Sequence, residues 1–190
     1  MHRVLDPRRH DSFASKLCAL AIMTKAPRAG TVKTRLQPPL TAEEAAQLNV
    51  CFLRDIAAAI VSTGGESKGV GVFTPVGCEE GYMNILPSDF VLIPQRGDSF
   101  GERLMNAATD LLRVGFESCC LINSDSPTVT ADAFRQAMAK LQGADNRIVL
   151  ARIRYALVNR LAQVSSIPKK LVDVALVDQP SAFAAHTFVS

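Results

Sequence analysis

The segment Thr24-Lys25-Ala26-Pro27-Arg28-Ala29-Gly30-Thr31-Val32-Lys33-Thr34-Arg35-Leu36 follows directly on the apolar run Leu17-Cys18-Ala19-Leu20-Ala21-Ile22-Met23. A short unbroken apolar run bounded by polar residues reads as a strand buried on both faces, as in parallel sheets. Four cationic side chains and a glycine then fall where an open α/β sheet receives its ligand, outside the carboxyl end of a strand. Lys and Arg beside exposed backbone N–H groups suit phosphate oxygens.

Outward from this point, strand and helix signals alternate. Thr41 and Glu44 form a capping-box pattern, and Ala45, Leu48, Phe52, Ile56, Ala59 and Ile60 recur at helical spacing, which predicts a helix over 42–62 closed by Gly64-Gly65. Gly69–Phe73 reads as a second strand, Glu79–Ile85 as a short helix and Phe90–Pro94 as a third strand. Phe100–Val114 is helical with Gly115 as its C-cap, and Cys119–Ile122 is another buried strand. Ala131–Leu141 reads as a helix and Arg147–Leu150 as a strand. This alternation predicts an α/β fold with a mostly parallel sheet and helices on both faces. Residues 1–15 carry no comparable signal and read as a loose, disordered N-terminal tail.

The composition bounds the function. The chain has 190 residues, 48% hydrophobic and 21% charged, which fits one soluble domain with a real core. A net charge of +3 is too small to indicate nucleic acid or an anionic membrane, and without Trp there is no aromatic series on which single-stranded bases would stack. The five cysteines, at 18, 51, 78, 119 and 120, include no C-x-x-C pair, so neither a disulfide framework nor a zinc site is expected, and a reduced cytoplasmic setting is. Leu17–Met23 faintly resembles the core of a signal peptide. However, Lys25, Pro27 and Arg28 follow where small residues should lead to cleavage, so a first strand explains the run better. No apolar run reaches the roughly 20 residues of a bilayer span.

Three strand-end loops could carry chemistry. In the first, Lys33 and Arg35 could neutralise phosphate, Arg28 could add a bidentate contact and Gly30 would let the backbone approach the ligand. The alternative is a solvated basic loop, and the G-x-x-x-x-G-K-[ST] pattern of a Walker A loop is absent. In the second, Asn123-Ser124-Asp125-Ser126-Pro127, Asp125 could hold Mg²⁺ or Mn²⁺, which take oxygen ligands, or could simply cap a turn before Pro127. The third, Gln95-Arg96-Gly97-Asp98-Ser99-Phe100-Gly101-Glu102-Arg103, suits a ligand loop as well as a capped helix start with Glu102 in the first turn. His2, His10 and His186 lie in the terminal regions and pair with no candidate nucleophile, so triad chemistry is not expected.

Together these three loops resemble a bacterial family, the DUF2064 proteins, themselves similar to glycosyltransferases of the GT-A, Rossmann-like nucleotide-diphospho-sugar transferase fold. The resemblance runs from Leu17 to Leu150, and the Thr24–Leu36 segment is also similar to the G-x-x-T-R-L loop of sugar-nucleotidyltransferases. It implies a transferase-like domain over 16–150. It further implies a nucleotide site holding a nucleotide-sugar or nucleotide, formed by Lys25, Arg28, Gly30, Lys33, Thr34, Arg35, Arg96, Asp98 and Arg103. It places Asp125 at the metal-ligand position of a D-x-D-type motif, with a divalent cation, Mg²⁺ or Mn²⁺, as cofactor. Asn123 stands at the first position of that motif, where a carboxylate would be the stronger ligand.

The chain departs from the family pattern after residue 150. Where the pattern has a Gly-Pro…Asp-Gly-Gly-Tyr segment, this chain reads Ala151-Arg152-Ile153-Arg154-Tyr155-Ala156-Leu157. All eleven glycines lie between 30 and 143, and the net charge changes from −1 over residues 1–145 to +4 over 146–190. Residues 151–190 therefore form an atypical segment, with a helical pattern at Tyr155–Val164 and an apolar stretch at Leu171–Val177, and the fold is expected to be incomplete at its C-terminus. A shift of reading frame near residue 150 would produce this change. That is a hypothesis, and an uninterrupted frame on resequencing these codons would refute it. Three functions follow from the resemblance and the departure: sugar transfer from a nucleotide-sugar, nucleotidyl transfer with release of pyrophosphate, or nucleotide binding without turnover.

Overall fold

The computed structural model describes residues 1–142 and the backbone of three further strands at 147–151, 171–173 and 183–187. In chain order the elements are β1 (Arg3–Val4), β2 (Cys18–Lys25), α1 (Ala42–Val61), β3 (Ser67–Thr74), β4 (Val91–Pro94), α2 (Phe100–Val114), β5 (Ser118–Asn123), α3 (Ala131–Leu141), β6 (Arg147–Ala151), β7 (Leu171–Asp173) and β8 (Phe183–Thr187). Short 3₁₀ turns lie at Ser12–Ala14, Thr34–Leu36 and Glu79–Tyr82. The last of these stands where the sequence predicts a short helix.

Six strands form one sheet in the order β1-β4-β3-β2-β5-β7, and every neighbouring pair in it is parallel. β6 and β8 pair antiparallel beside it as a separate ribbon. The expected α/β fold with a mostly parallel sheet is therefore the observed one. The helical pattern at Tyr155–Val164 and most of the atypical C-terminal segment lie outside the described residues.

The two faces of β2 divide the core. Cys18, Leu20 and Ile22 point to a cluster with Leu53, Ile56, Ala57 and Ile60 of α1 and Phe134, Ala137 and Leu141 of α3. Ala19, Ala21 and Met23 point the other way, to Leu104, Ala107, Ala108, Leu111 and Val114 of α2. Alternation along a strand thus sends a continuous apolar run into two cores, with helices on both faces. On β3 the α1 side is lined by glycine. A Cβ at Gly69 would lie 2.3 Å from the Phe90 ring and one at Gly71 2.7 Å from Leu92. These glycines make room for the larger side chains of β4 and the turn before it.

Each helix starts where its capping residues stand. The Thr41 hydroxyl accepts from the Glu44 N–H at 3.1 Å and the Glu44 carboxylate from the Thr41 N–H at 2.8 Å, and Ser99 and Glu102 repeat the arrangement at α2. Thr130 caps α3 through the Ala133 N–H.

The N-terminal segment corrects its expectation as a disordered tail. Arg3 and Val4 pair with Val91 and Leu92 at the sheet edge, and Leu5 is buried. The His2 ring nitrogens lie 3.2 and 3.1 Å from the carbonyl oxygens of Phe90 and Tyr82. Phe13 packs edge-on against Phe116, with ring centroids 5.9 Å apart. A two-residue strand with exposed side chains leaves no periodic signal, so backbone pairing and isolated anchors hold a stretch that carries no apolar run.

Candidate functional site

The strand order reverses between β2 and β5. From β2 the chain steps outward through β3 to β4, then crosses back to place β5 on the opposite side of β2. Such a switch point opens a crevice at the carboxyl ends of the strands, where open α/β sheets bind ligands. The register puts Met23 beside Asn123, so β2 runs two residues beyond the end of β5. The loop after β2 and the loop Asn123–Pro127 therefore leave the sheet side by side. A cleft of about 200 Å³ opens here, lined among others by Thr24, Lys25, Gln95, Phe100, Arg103 and Asn123.

The loop after β2 is built by local geometry. A turn from Arg28 to Thr31 closes through the Thr31 N–H on the Arg28 carbonyl at 3.1 Å, with Gly30 at φ +74. A positive φ at that position calls for glycine. Space around Gly30 is open, with nothing within 4 Å of where a Cβ would stand. Lys25, Arg28, Thr34 and Arg35 are all exposed, and Lys25 and Arg35 form no ion pair among the described residues.

Lys33 differs from its neighbours. Its backbone is left-handed at φ 50, and its side chain is only 10% exposed. The ammonium lies 4.3 Å from the centroid of the Phe52 ring on α1, a cation–π contact, and forms an ion pair with Asp125 across the crevice. Asp125 is itself positioned by an Asx turn, its N–H donating to Asn123 Oδ1 at 3.1 Å. The first and second candidate loops are thus brought together.

The third loop is arranged differently. Arg96 donates twice to Asp110 of α2, at 2.9 and 2.6 Å, and Asp110 is 1% exposed. Both contacts favour the charged guanidinium and push its already high pKa up further. Arg103 donates to the Gly97 carbonyl at 3.0 Å while lining the cleft, and the exposed Asp98 gives its backbone N–H to Glu102 at 2.8 Å. Of the three, Arg103 reaches the cleft wall, Arg96 is committed to α2, and Asp98 belongs to the helix start.

Sequence reasoning gave four residues near the crevice no role of their own. The Gln95 amide donates to the carbonyls of Thr24 at 2.9 Å and Val72 at 2.7 Å, tying three strand ends together at the floor of the cleft. Phe100, 55% exposed at the start of α2, places an apolar ring at the cleft. Phe52 looked like one more core position of α1. Tyr82 is buried near Thr24, and burial raises its hydroxyl's pKa far above its ordinary value. Burial likewise raises the thiol of Cys78, which donates to the Pro75 carbonyl.

Among the described residues, the crevice offers a divalent cation one carboxylate, Asp125, already paired with Lys33. Among the described residues no three His, Cys, Asp or Glu side chains cluster where they could hold a metal. No helix among them is long and apolar enough to cross a membrane.

The fold is shared with a crystal structure from Desulfovibrio desulfuricans G20 described as a "putative nucleotide-diphospho-sugar transferase", at 24% identity and a TM-score of 0.63. The likeness covers 72% of this chain and 58% of that one, so the chain spans less than two thirds of that protein's length. No curated protein matches the chain. The family DUF2064, described as an uncharacterized protein conserved in bacteria, matches residues 41–153. That match starts at the cap of α1, just after the basic loop, and takes in the other two candidate loops. It covers more than half of the chain, and the protein belongs to the DUF2064 family.

Proposed function

We propose that the crevice between β2 and β5 binds the diphosphate of a nucleotide-sugar and that the protein transfers the sugar to an acceptor. The observation that carries this reading is the convergence, at the switch point, of the basic loop after β2 with the Asp125 loop after β5. Lys25, Arg28, Lys33 and Arg35 supply charge for the phosphates. Gly30 leaves room for them, Thr34 adds a hydroxyl, and Arg103 reaches in from the far wall. Preplaced cations stabilise the charge that grows on a departing diphosphate. The likeness of fold to a protein described as a nucleotide-diphospho-sugar transferase supports the same class.

The test is a thermal-shift panel of UDP-, GDP-, CDP- and dTDP-sugars and the nucleoside triphosphates on the whole chain. A ligand at about 100 times its Kd stabilises the fold by roughly 2.7 kcal/mol, a plainly visible shift. A shift with one family of nucleotide-sugars supports the reading. No shift with any nucleotide, from a chain that melts cooperatively, refutes it. The similarity of the basic loop to that of sugar-nucleotidyltransferases favours a second reading, in which an NTP is the substrate. Release of pyrophosphate separates the two.

A further inference from the structure

This inference rests on the diphosphate reading above and concerns what neutralises the diphosphate. The segments 24–36 and 123–127 contain four cationic side chains and a single carboxylate. A site that recruits a divalent cation gathers carboxylates, whereas this one carries a surplus of fixed positive charge close to what a diphosphate brings. Asp125 is exposed on one side, yet its partner is not a flexible surface lysine. Lys33 is held by a left-handed backbone, its side chain is nine-tenths buried, and its ammonium rests against the Phe52 ring. A metal approaching Asp125 would meet an ammonium already seated there. Asn123, at the other motif position, is neutral, and its Oδ1 already accepts the Asp125 N–H.

We infer that the Lys33 ammonium, seated between Asp125 and Phe52, is the resident cation of this site and takes the place of a divalent ion beside the diphosphate. Asp125 then acts as a positioning residue. It orients the ammonium toward the mouth of the crevice, and the ligand's oxygens share or replace its contact. Lysine serves well here because it binds phosphate as a point charge, without the fixed fork of arginine.

The experiment measures binding of UDP, GDP, CDP and dTDP by calorimetry to the whole protein, in EDTA and in MnCl₂. It is repeated with Lys33→Met, Lys33→Arg and Asp125→Asn. The inference expects binding in EDTA, changed less than about threefold by Mn²⁺. It expects Lys33→Met to lose about tenfold or more, because a charge-assisted phosphate contact is removed, and Lys33→Arg to recover part of that loss. Methionine keeps an unbranched stem against Phe52, and equal melting temperatures for Lys33→Met and Lys33→Arg would separate a lost charge from a lost fold. Binding that appears only with Mn²⁺ and disappears in Asp125→Asn would overturn the inference and leave the diphosphate reading standing. Absence of binding under either condition would overturn both.

Discussion

Two loops of this molecule look alike in sequence and differ in what their charges do. Both follow parallel strands, both carry glycine and arginine, and both run toward a capped helix. In Gln95–Arg103 most of the charged side chains are engaged by the loop itself and the helix that follows it. Arg96 closes on a buried aspartate, Glu102 caps the helix, and Arg103 holds the Gly97 carbonyl. In the loop after β2 Lys25, Arg28 and Arg35 are exposed, and among the described residues Lys33 is the cation with an ion-pair partner, on the far side of the crevice. The difference lies in the helix that follows each loop. α2 carries Asp110 beside its apolar stripe of Leu104, Ala107, Ala108 and Leu111, within reach of the loop. α1 offers Lys33 the π face of Phe52. Under the proposed function, the loop whose Lys25, Arg28 and Arg35 stay exposed is the one that meets the ligand.

The strongest way to break this comparison is Arg96→Met. It would leave Asp110 buried without its bidentate partner. Losing one member of a buried pair typically costs roughly 3–5 kcal/mol. Because Arg96 is half-exposed and Arg113 stands 3.6 Å from Asp110 as a substitute, about 2–3 kcal/mol is expected here. Urea unfolding with an unchanged m-value checks it. Nucleotide affinity, once a ligand is known, should stay within about twofold. A large loss of affinity without loss of stability would return Arg96 to the ligand.

The converse holds for the other loop. Arg28→Ala and Arg35→Ala remove exposed side chains, so stability should move by less than about 0.5 kcal/mol. Under the proposed function each should weaken diphosphate binding by about five- to tenfold, with a salt dependence that also falls. Calorimetry at two ionic strengths measures both. An unchanged affinity in both variants would make this loop a solvated surface like any other.

Ser99→Ala gives a smaller effect and sharpens the contrast at the helix start. Losing a serine N-cap costs about 1 kcal/mol. The same is expected of Thr41→Ala, since both residues make the same pair of bonds. Thermal unfolding of the two variants should therefore nearly coincide, although one cap follows the exposed basic loop and the other closes the loop Gln95–Arg103.

How far the sequence revealed the molecule follows from the same physics. Buried strands and amphipathic helices imprint themselves as runs and periods, so Phe100–Val114 and Ala131–Leu141 emerge to the residue. The edge strand at Arg3–Val4 was hidden because backbone pairing holds it and both its residues are exposed. Within the site, the Lys25–Arg35 loop was legible as a cationic stretch after a strand. The commitment of Arg96 was not, since it depends on a partner fourteen residues away on a helix face. A charged residue inside an otherwise apolar helical stripe, as at Asp110, was the available signal. Beyond Ala151 the reading rests on composition, a helical pattern at Tyr155–Val164 and an apolar stretch at Leu171–Val177, and the family match ends at residue 153, where glycine has run out and the chain has turned basic.

The smallest effect is a pH dependence at the start of α2. Backbone N–H groups of Ser99, and then Asp98, hold the Glu102 carboxyl below its ordinary value of 4.5. A carboxyl with a lowered folded pKa contributes stability above its unfolded pKa and loses it as the pH falls through the folded value. The start of α2 should therefore loosen in acid below about pH 4.5, and Glu102→Gln should flatten that part of the stability profile while changing little near neutrality. Denaturant midpoints between about pH 6 and pH 3 measure the difference between the two profiles. Because Glu102 is exposed, the change is small, and its location matters more than its size. Residues 24–36 contain neither a carboxylate nor a histidine. An acid loss that persists unchanged in Glu102→Gln would show that the third loop does not depend on its cap. The contrast between the two loops would then rest on Arg96 and Asp110.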